Sequence, residues 1–266
     1  MINKFSVIFA SSFLSLSLIS SAWALDTTGN VILRSASLLD GNSGSGSLKW
    51  EQARDVVTDS RGNMIIVGGT PSPDYPTTPG AYDRSFASGG SSLGNAGAMD
   101  VFITKLSPDG QLIWSTYLGG PNYDRAYAVE VDGADNVIVA GRAGDGFPTT
   151  SGVAQRNFSG DRSPNSLYGS QDGFVSKISA DGRNLLWSTY FGGPGLGFIR
   201  DIDVDNNGNV LIGGSLYSGS FPLITPGAFQ SQVKGNKDAI FAKLSNTGRD
   251  VQYATCLLYT SDAADE

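Results

Sequence analysis

Oxygen-bearing side chains occur at metal-ligand spacing in one short segment of the chain. Asp203, Asp205 and Asn207 occupy the first, third and fifth positions of the segment from Asp203 to Gly208, and glycine occupies the sixth. This arrangement matches the first half of a Ca²⁺-binding loop. The twelfth position is Gly214, whereas such a loop ends on a bidentate Glu. We therefore favour a plain hairpin turn, with Ca²⁺ as the alternative, and expect no other cofactor or metal.

Carboxylates also recur at alternate positions of three predicted strands. Alternate residues of a strand point to the same face, so around a central channel some of these groups would lie near the rim and could bind an ion or a polar ligand. Solvated turn acids are the favoured alternative. The alternate positions are Asp55, Val57 and Asp59, then Ala128, Glu130 and Asp132, then Asp201, Asp203 and Asp205. Across both patterns, the candidate ligand-binding or ion-binding residues are Asp201, Asp203, Asp205, Asn207 and Glu130.

The composition restricts which catalytic chemistry is open to this protein. The 266 residues include no His, which excludes His-dependent triads and most transition-metal sites. A glycan hydrolase or lyase would need an Asp/Glu pair that occurs in one repeat alone. Glu51 and Glu130 are the Glu candidates, and the sequence offers neither of them a clear partner. We expect a protein that is not an enzyme and assign no catalytic residue.

Composition and charge also indicate the fold class and exclude two kinds of partner. The chain has 35 Gly and 10% aromatic residues but few strong helix formers, which favours an all-β fold. Its net charge of −7 argues against a nucleic-acid partner and against an anionic membrane surface.

An internal repeat organises the chain. Asn63, Asn136 and Asn209 are spaced 73 residues apart, as are Trp114 and Trp187. Three units follow from this period, and each contains four strand candidates. Asp-Gly or Thr-Gly pairs between apolar runs indicate hairpins between the third and fourth strands. Four antiparallel strands in each repeat are typical of β-propeller blades, and we predict about three blades. The predicted strands are 54–59, 64–67, 101–106 and 112–118, then 126–132, 137–140, 174–178 and 185–190, then 200–205, 210–212, 240–244 and 251–254.

Three motifs together resemble a known family of bacterial repeat proteins. They are the segment from Asp100 to Gly120, the Val-Asp-x-x-Gly-Asn-Val-x-x-x-Gly pattern from Val204 to Gly214, and the Phe-Pro-x-x-Thr-Pro-Gly-Ala-Phe-Gln pattern from Phe221 to Gln230. This combination is similar to the repeats of the SBBP family, named for the seven-bladed β-propeller, over nearly all of residues 50–255. The resemblance implies an extracytoplasmic propeller of no settled biochemical role. The second unit departs from the pattern, because it has Thr150-Ser-Gly-Val153 in place of Thr-Pro-Gly-Ala.

Several motifs recur in the units, and a residue used in each blade is more often structural than catalytic. We assign scaffold roles to Asp100, Asp172 and Asp238 at the start of each third strand, and to Lys105, Lys177 and Lys243 within it. The Trp residues should pack between blades, and the Gly-Gly pairs should allow a tight crossover to the next blade. Thr-Pro-Gly-Ala should begin a short helical turn, with Thr as the N-cap and Pro in the first helical position.

The N-terminus predicts export. Lys4, an apolar stretch from Phe5 to Ile19, and Ala22-Trp-Ala24 form a signal peptide with a cleavage site before Leu25. We therefore expect no membrane span after cleavage and a secreted, periplasmic or cell-surface location. The segment Val31–Leu38 resembles the fourth strand of the repeat, so we interpret it as the outer strand of a last, ring-closing blade.

The C-terminus breaks the repeat after Thr255. Its eleven residues resemble a translated adapter sequence from DNA library preparation, so we interpret them as read-through of a truncated gene. The missing C-terminal blades of the same chain would then be its partners, and the open arc would associate through exposed apolar residues such as Ile240 and Val251. The predicted organisation is 1–24 signal peptide, 25–49 N-terminal strand and linker, 50–121, 122–194 and 195–255 blades one to three, and 256–266 artefactual tail.

Two classes of function follow from these features. The first is an extracellular scaffold or recognition module that is not catalytic and presents the loops 82–99 and 156–171 to a protein or polysaccharide ligand. The alternative is a fragment of a propeller glycan hydrolase or lyase whose carboxylate site is largely in missing blades.

Overall fold

A computed structural model describes residues 41, 51–87, 94–160, 167–195, 197–217, 220–234 and 237–258, all within the compact unit Leu39–Glu266. The predicted signal peptide, the predicted closing strand Val31–Leu38 and residues 259–266 of the predicted tail lie outside the described residues. Within the described ranges, the chain contains no helix that is long and apolar enough to cross a membrane.

In the described ranges, twelve strands form three four-stranded antiparallel sheets, in each of which the strands follow one another in chain order. This confirms the all-β fold and the three predicted blades. The first sheet contains β1 (Gln52–Thr58), β2 (Met64–Thr70), β3 (Asp100–Leu106) and β4 (Leu112–Leu118). The second contains β5 (Arg125–Val131), β6 (Val137–Ala143), β7 (Asp172–Ile178) and β8 (Leu185–Tyr190). The third contains β9 (Gly197–Val204), β10 (Val210–Tyr217), β11 (Lys237–Leu244) and β12 (Val251–Leu258).

The second strand of each blade is longer than predicted, because a glycine that looks like a strand end lies inside the ladder. A side chain at Gly68 would place its Cβ 1.8 Å from the carbonyl oxygen of Gln52, and one at Gly141 would lie 2.1 Å from that of Arg125. Opposite these glycines the first strand contains a β-bulge. The glycines therefore admit the bulged backbone of the neighbouring strand, and the ladder continues past them.

Consecutive blades are joined through their tryptophans. The Trp114 ring packs on Gly182 in the β7–β8 turn of the next blade, where a Cβ would lie 2.4 Å from the ring. The indole Nε1 of Trp114 donates a hydrogen bond to the carbonyl oxygen of Ala180 at 3.1 Å. Trp187 repeats both contacts with the β11–β12 turn, at Gly248 and Asn246. The predicted role of the tryptophans between blades is confirmed.

At the Gly-Gly pairs after the fourth strands, neighbouring atoms lie too close to the backbone to leave room for a side chain. A Cβ at Gly192 would lie 1.7 Å from Oδ1 of Asp172, and a Cβ at Gly193 would lie 2.4 Å from the carbonyl oxygen of Ser220. Neither glycine has a positive φ. The absence of a side chain is thus what allows the chain to cross from β8 to the next blade.

The Thr-Pro-Gly-Ala motif forms a β-turn, so the predicted helical start was wrong. The amide of Ala81 donates to the carbonyl oxygen of Thr78 at 3.2 Å, and Gly80 has a φ of +81°. Proline at the second position and a positive-φ glycine at the third define a type II turn, which does not continue into a helix. The Thr78 hydroxyl accepts a hydrogen bond from the amide of Ser115, which fastens the turn to β4.

One apolar face of the third blade is partly exposed, whereas the corresponding faces of the first two blades are each covered by the following blade. Leu211, Phe241 and Tyr253 are 38%, 48% and 41% exposed, whereas their counterparts in the first two blades are buried under the following blade. The prediction that Ile240 is exposed was wrong: its side chain is 1% exposed, because it points into the packing between the second and third blades.

The last strand runs beyond the predicted third blade. β12 continues through Cys256 to Leu258 and pairs with β11 along its whole length. Cys256 is fully buried opposite Ile240 and occupies the place of Tyr117 and Tyr190 in the other blades. The origin of the eleven C-terminal residues stays a prediction.

We expect Gly182→Ala to destabilise the protein by about 3 kcal/mol, because the new methyl group meets the Trp114 ring and because a positive φ is unfavourable for alanine. Gly133→Ala is the matched control, since a Cβ there has nothing within 4 Å. Urea denaturation followed by tryptophan fluorescence measures both changes. Equal effects of the two substitutions would show that the contact between Trp114 and Gly182 does not set the blade spacing.

Candidate functional site

The repeated carboxylates at the end of each first strand form buried or half-buried ion pairs with the repeated lysines. These pairs are Asp59 with Lys105 at 2.7 Å, Asp132 with Lys177 at 2.6 Å, and Asp205 with Lys243 at 2.7 Å. Each carboxylate also accepts hydrogen bonds from the side chain and the amide of an asparagine in the following turn: Asn63, Asn136 and Asn209. These contacts are the same in all three blades, so Asp205 serves the scaffold.

The aspartates that open the third strands are also scaffold residues. Their side chains are fully buried, and each accepts a backbone amide from the loop that precedes the strand. The donors are Ala87 to Asp100 at 2.8 Å, Ser159 to Asp172 at 3.3 Å, and Lys234 to Asp238 at 3.0 Å.

The remaining predicted ligand residues lie close together but do not form a metal site. Glu130 is half-buried, and burial followed by the negative charges of Asp203, Asp55 and Asp201 raises its pKa to about 6. Asp203 is exposed, and its carboxylate accepts a hydrogen bond from the amide of Val204. Among the residues that the structure describes, no three acidic or thiol side chains are placed to hold a metal ion.

The predicted calcium loop forms a turn. Asn207 donates its amide to Asp205, and Asp205 faces Lys243. Since the Asp205 carboxylate is paired with the Lys243 ammonium and with the amides of its own turn, the structure supports the hairpin turn that the sequence favours.

The strongest site-like arrangement is one that the sequence reasoning missed. Four guanidinium groups lie around the ring of Tyr127, at 5.8, 4.9, 5.2 and 5.2 Å from its centroid: those of Arg54, Arg125, Arg142 and Arg200. We call these four residues with Tyr127 the arginine cluster. Arg54, Tyr127 and Arg200 are the bulge residues of β1, β5 and β9, so the bulges bring the three first strands together at this point.

Arg125 and Arg142 are the buried members of the arginine cluster. They pair directly across β5 and β6 and are 5% and 7% exposed. Arg125 donates to Gln52 Oε1 and to the Tyr127 hydroxyl, both at 2.6 Å, and Arg142 also donates to the Tyr127 hydroxyl. The Nε of each arginine and the hydroxyl of Tyr123 are buried with no hydrogen-bond partner among the described residues.

The arginine cluster carries positive charge that is not balanced by carboxylates among the described residues. Within the part of the chain that the structure describes, no carboxylate lies within ion-pair distance of its arginines. Partial burial beneath the neighbouring side chains, followed by the charge of Arg125, lowers the pKa of Arg54, although the side chain stays largely exposed to solvent. Burial acts to raise the pKa of Tyr127, but the charges and hydrogen bonds of Arg142 and Arg125 outweigh it, and this pKa lies below its ordinary value.

The predicted 156–171 loop contributes to the same region. The Tyr168 ring lies 4.4 Å from the Arg142 guanidinium. Gln171 is fully buried and donates to the carbonyl oxygens of Tyr123 and Tyr168, which fastens the end of the loop beside the arginine cluster.

A signal for the arginine cluster was present in the repeat. At the positions 73 residues away from Arg125, the other blades have Gln52 and Phe198, and at those of Arg142 they have Gly69 and Ser215. Both arginines therefore belong to the second blade alone. Positions that break an otherwise regular repeat are the signal in the sequence that marks this site.

Comparisons with known proteins agree with this architecture. Residues 186–222 match the family described as SBBP, beta-propeller repeat. This stretch of the chain is therefore similar to a repeat of that family. It runs from β8 through β10, so the sequence repeat begins one strand before the structural blade.

A curated relative is named for WD repeats. An uncharacterized WD repeat-containing protein, L264, of Acanthamoeba polyphaga mimivirus is 27% identical over 180 residues, which is 64% of this chain. The match covers 13% of that protein, so the chain spans a small part of its length. The comparisons thus suggest a propeller scaffold.

Buried carboxylates at the blade crossovers make the stability depend on pH. Asp124 accepts the amides of Gly120 and Gly144, and burial raises its pKa to about 8. Asp172 accepts the side-chain amide of Gln155, and burial raises its pKa to about 7. The folded state therefore holds protons that the unfolded state releases.

We expect the free energy of unfolding to fall as the pH rises from about 5 to 8, because acids with a raised folded-state pKa favour the folded state when protonated. Urea denaturation at several pH values measures this trend. Asp172→Asn should flatten it near pH 7, whereas Asp109→Asn, in an exposed turn, should leave it unchanged. A stability that is constant or rises over this range would contradict the expectation.

Proposed function

We propose that this protein is an exported β-propeller recognition module that binds a protein or polysaccharide ligand and does not transform it. The observation that carries the proposal is that the charged residues repeated in each blade and the arginines found in one blade have different surroundings. Asp59, Asp132 and Asp205 are engaged in scaffold ion pairs, whereas Arg125 and Arg142, which are buried without an ion-pair partner among the described residues, occur in the second blade alone. Guanidinium groups suit recognition, because they are charged donors that do not exchange protons near neutral pH.

The comparisons support the scaffold part of this proposal. An SBBP repeat at residues 186–222 and similarity to a WD repeat-containing protein both indicate propeller architecture. Propellers present loops and strand ends on a rigid frame, and function depends on the groups placed there. Here the bulges of β1, β5 and β9 bring blade-specific groups together at one place.

The alternative function, a glycan hydrolase or lyase, rests on a different observation. Glu130 has a pKa of about 6 and lies near Asp203, which are properties of an acid–base pair. The exposed position of Asp203 argues against this reading, because the acid–base pair of a glycan hydrolase needs two carboxyl groups held at a fixed separation across the substrate.

Binding without turnover is the expected behaviour. Electrophoresis of the purified chain through gels that contain acidic or neutral polysaccharides should show retarded migration in at least one of them. The same mixtures should develop no new reducing ends and no unsaturated sugar. Turnover that Glu130→Gln abolishes, with Glu51→Gln unchanged, would instead establish the enzyme alternative.

Export depends on residues 1–24. The chain produced in a bacterium with its own N-terminus should be recovered outside the cytoplasm and should begin at Leu25. Insertion of Arg residues into the apolar stretch between Phe5 and Ile19 should retain it inside, because such a stretch must be apolar to engage the export machinery. Recovery of the unmodified chain in the cytoplasm with residues 1–24 intact would refute the extracellular role.

A further inference from the structure

The arginine cluster has many more hydrogen-bond donors than acceptors. A guanidinium carries five N–H donors. Among the described residues, Arg125 uses donors on Gln52 and Tyr127, and Arg142 uses one on Tyr127. The Nε groups of both arginines are buried and unsatisfied, and so is the hydroxyl of Tyr123. Each of these groups would be satisfied by an acceptor with several oxygens.

The charges of the arginine cluster point in the same direction. Like charges that face each other across two strands are unfavourable, and a buried charge without a partner is costly. Arg125 and Arg142 combine both features, and the exposed Arg54 and Arg200 add two positive charges around the same ring. Contacts with aromatic rings offset part of this cost, but they supply no negative charge.

We propose that the arginine cluster binds an oxyanion group on the ligand, either the carboxylate of an acidic sugar or a sulfate or phosphate. This inference rests on the proposed recognition function and names its ligand class. Arginine side chains recognise such groups through paired N–H donors in a planar fork, which lysine cannot reproduce. The buried Arg125 and Arg142 orient the oxyanion, and the exposed Arg54 and Arg200 attract it from solvent.

The aromatic residues complete the site. Tyr127 accepts hydrogen bonds from both buried arginines and thereby fixes the planes of their guanidinium groups. The Tyr168 ring lies close to the Arg142 guanidinium, and Gln171 fastens the adjoining backbone. Preorganised donors of this kind bind an anion at low cost in conformational entropy.

Equilibrium dialysis of the whole chain against inorganic sulfate, inorganic phosphate or D-glucuronate tests the proposal, with D-glucose as the neutral control. We expect saturable binding of at least one oxyanion at a stoichiometry near one, and no binding of glucose. Preference for glucuronate would identify a sugar carboxylate as the source, and preference for sulfate or phosphate would identify an ester. Absence of saturable binding of all three probes at millimolar concentration would overturn the proposal.

Substitutions separate recognition from a structural role of the arginines. Arg142→Gln should weaken oxyanion binding about tenfold or more, because a hydrogen bond to a charged group is lost. Arg142→Met should abolish binding, yet without ligand its urea midpoint should equal or exceed that of the unmodified chain, since an unpaired buried charge is removed. Arg61→Gln, at an exposed position outside the arginine cluster, should change neither quantity. Lower stability of both Arg142 variants with undiminished oxyanion binding would show that the arginine serves packing alone.

Arg200→Gln provides a test that does not depend on the fold of a buried variant. Arg200 is exposed, so the protein should fold normally, and oxyanion binding should weaken. Unchanged binding in Arg200→Gln together with unchanged binding in Arg142→Gln would refute the site. Retention on a neutral polysaccharide without oxyanion binding would overturn this inference but leave the recognition function standing, whereas turnover of a polysaccharide would overturn the recognition function itself.

Discussion

The architecture depends on the contact between a tryptophan on the outer strand of one blade and a glycine in the last turn of the next. Trp114 and Gly182 make this contact, and Trp187 and Gly248 repeat it. The ring needs a flat surface without a side chain, and the turn needs a residue that tolerates a φ above +70°. One glycine meets both requirements, so this contact sets the distance between blades and explains why the two motifs recur together.

A second constraint is that the backbone amides of the strand turns need hydrogen-bond acceptors where the blades meet. The polar residues that recur in each blade supply them. In each of the three blades, an aspartate accepts hydrogen bonds from the backbone amides and the asparagine side chain of its turn. A lysine from the third strand forms an ion pair with the same aspartate. The result is a charge-balanced frame. This balance makes the arginine cluster unusual, because its positive charges have no such counterpart among the described residues.

The arginine cluster also shows how a repeat acquires an individual site. The bulge occurs in all three first strands, and a glycine admits the bulged backbone each time. Arg54 and Arg200 occupy the bulge in the outer blades and Tyr127 in the middle one, so the ring is surrounded by cations from both sides. Only the second blade adds Arg125 and Arg142 to this shared geometry.

The amino-acid sequence by itself determined the fold class, the three units and nearly all strand positions, because turn residues and alternating apolar residues act locally. It also identified the tryptophans and the repeated Asp and Lys positions as scaffold. The tertiary structure alone decided what the in-strand glycines admit, that Thr78-Pro-Gly-Ala81 closes a type II turn, and that Ile240 is buried. It also decided the place of the candidate site. Arg54, Arg125 and Arg200 are far apart in the chain, and their convergence on Tyr127 follows from the bulges and the packing of neighbouring blades, which no local pattern encodes.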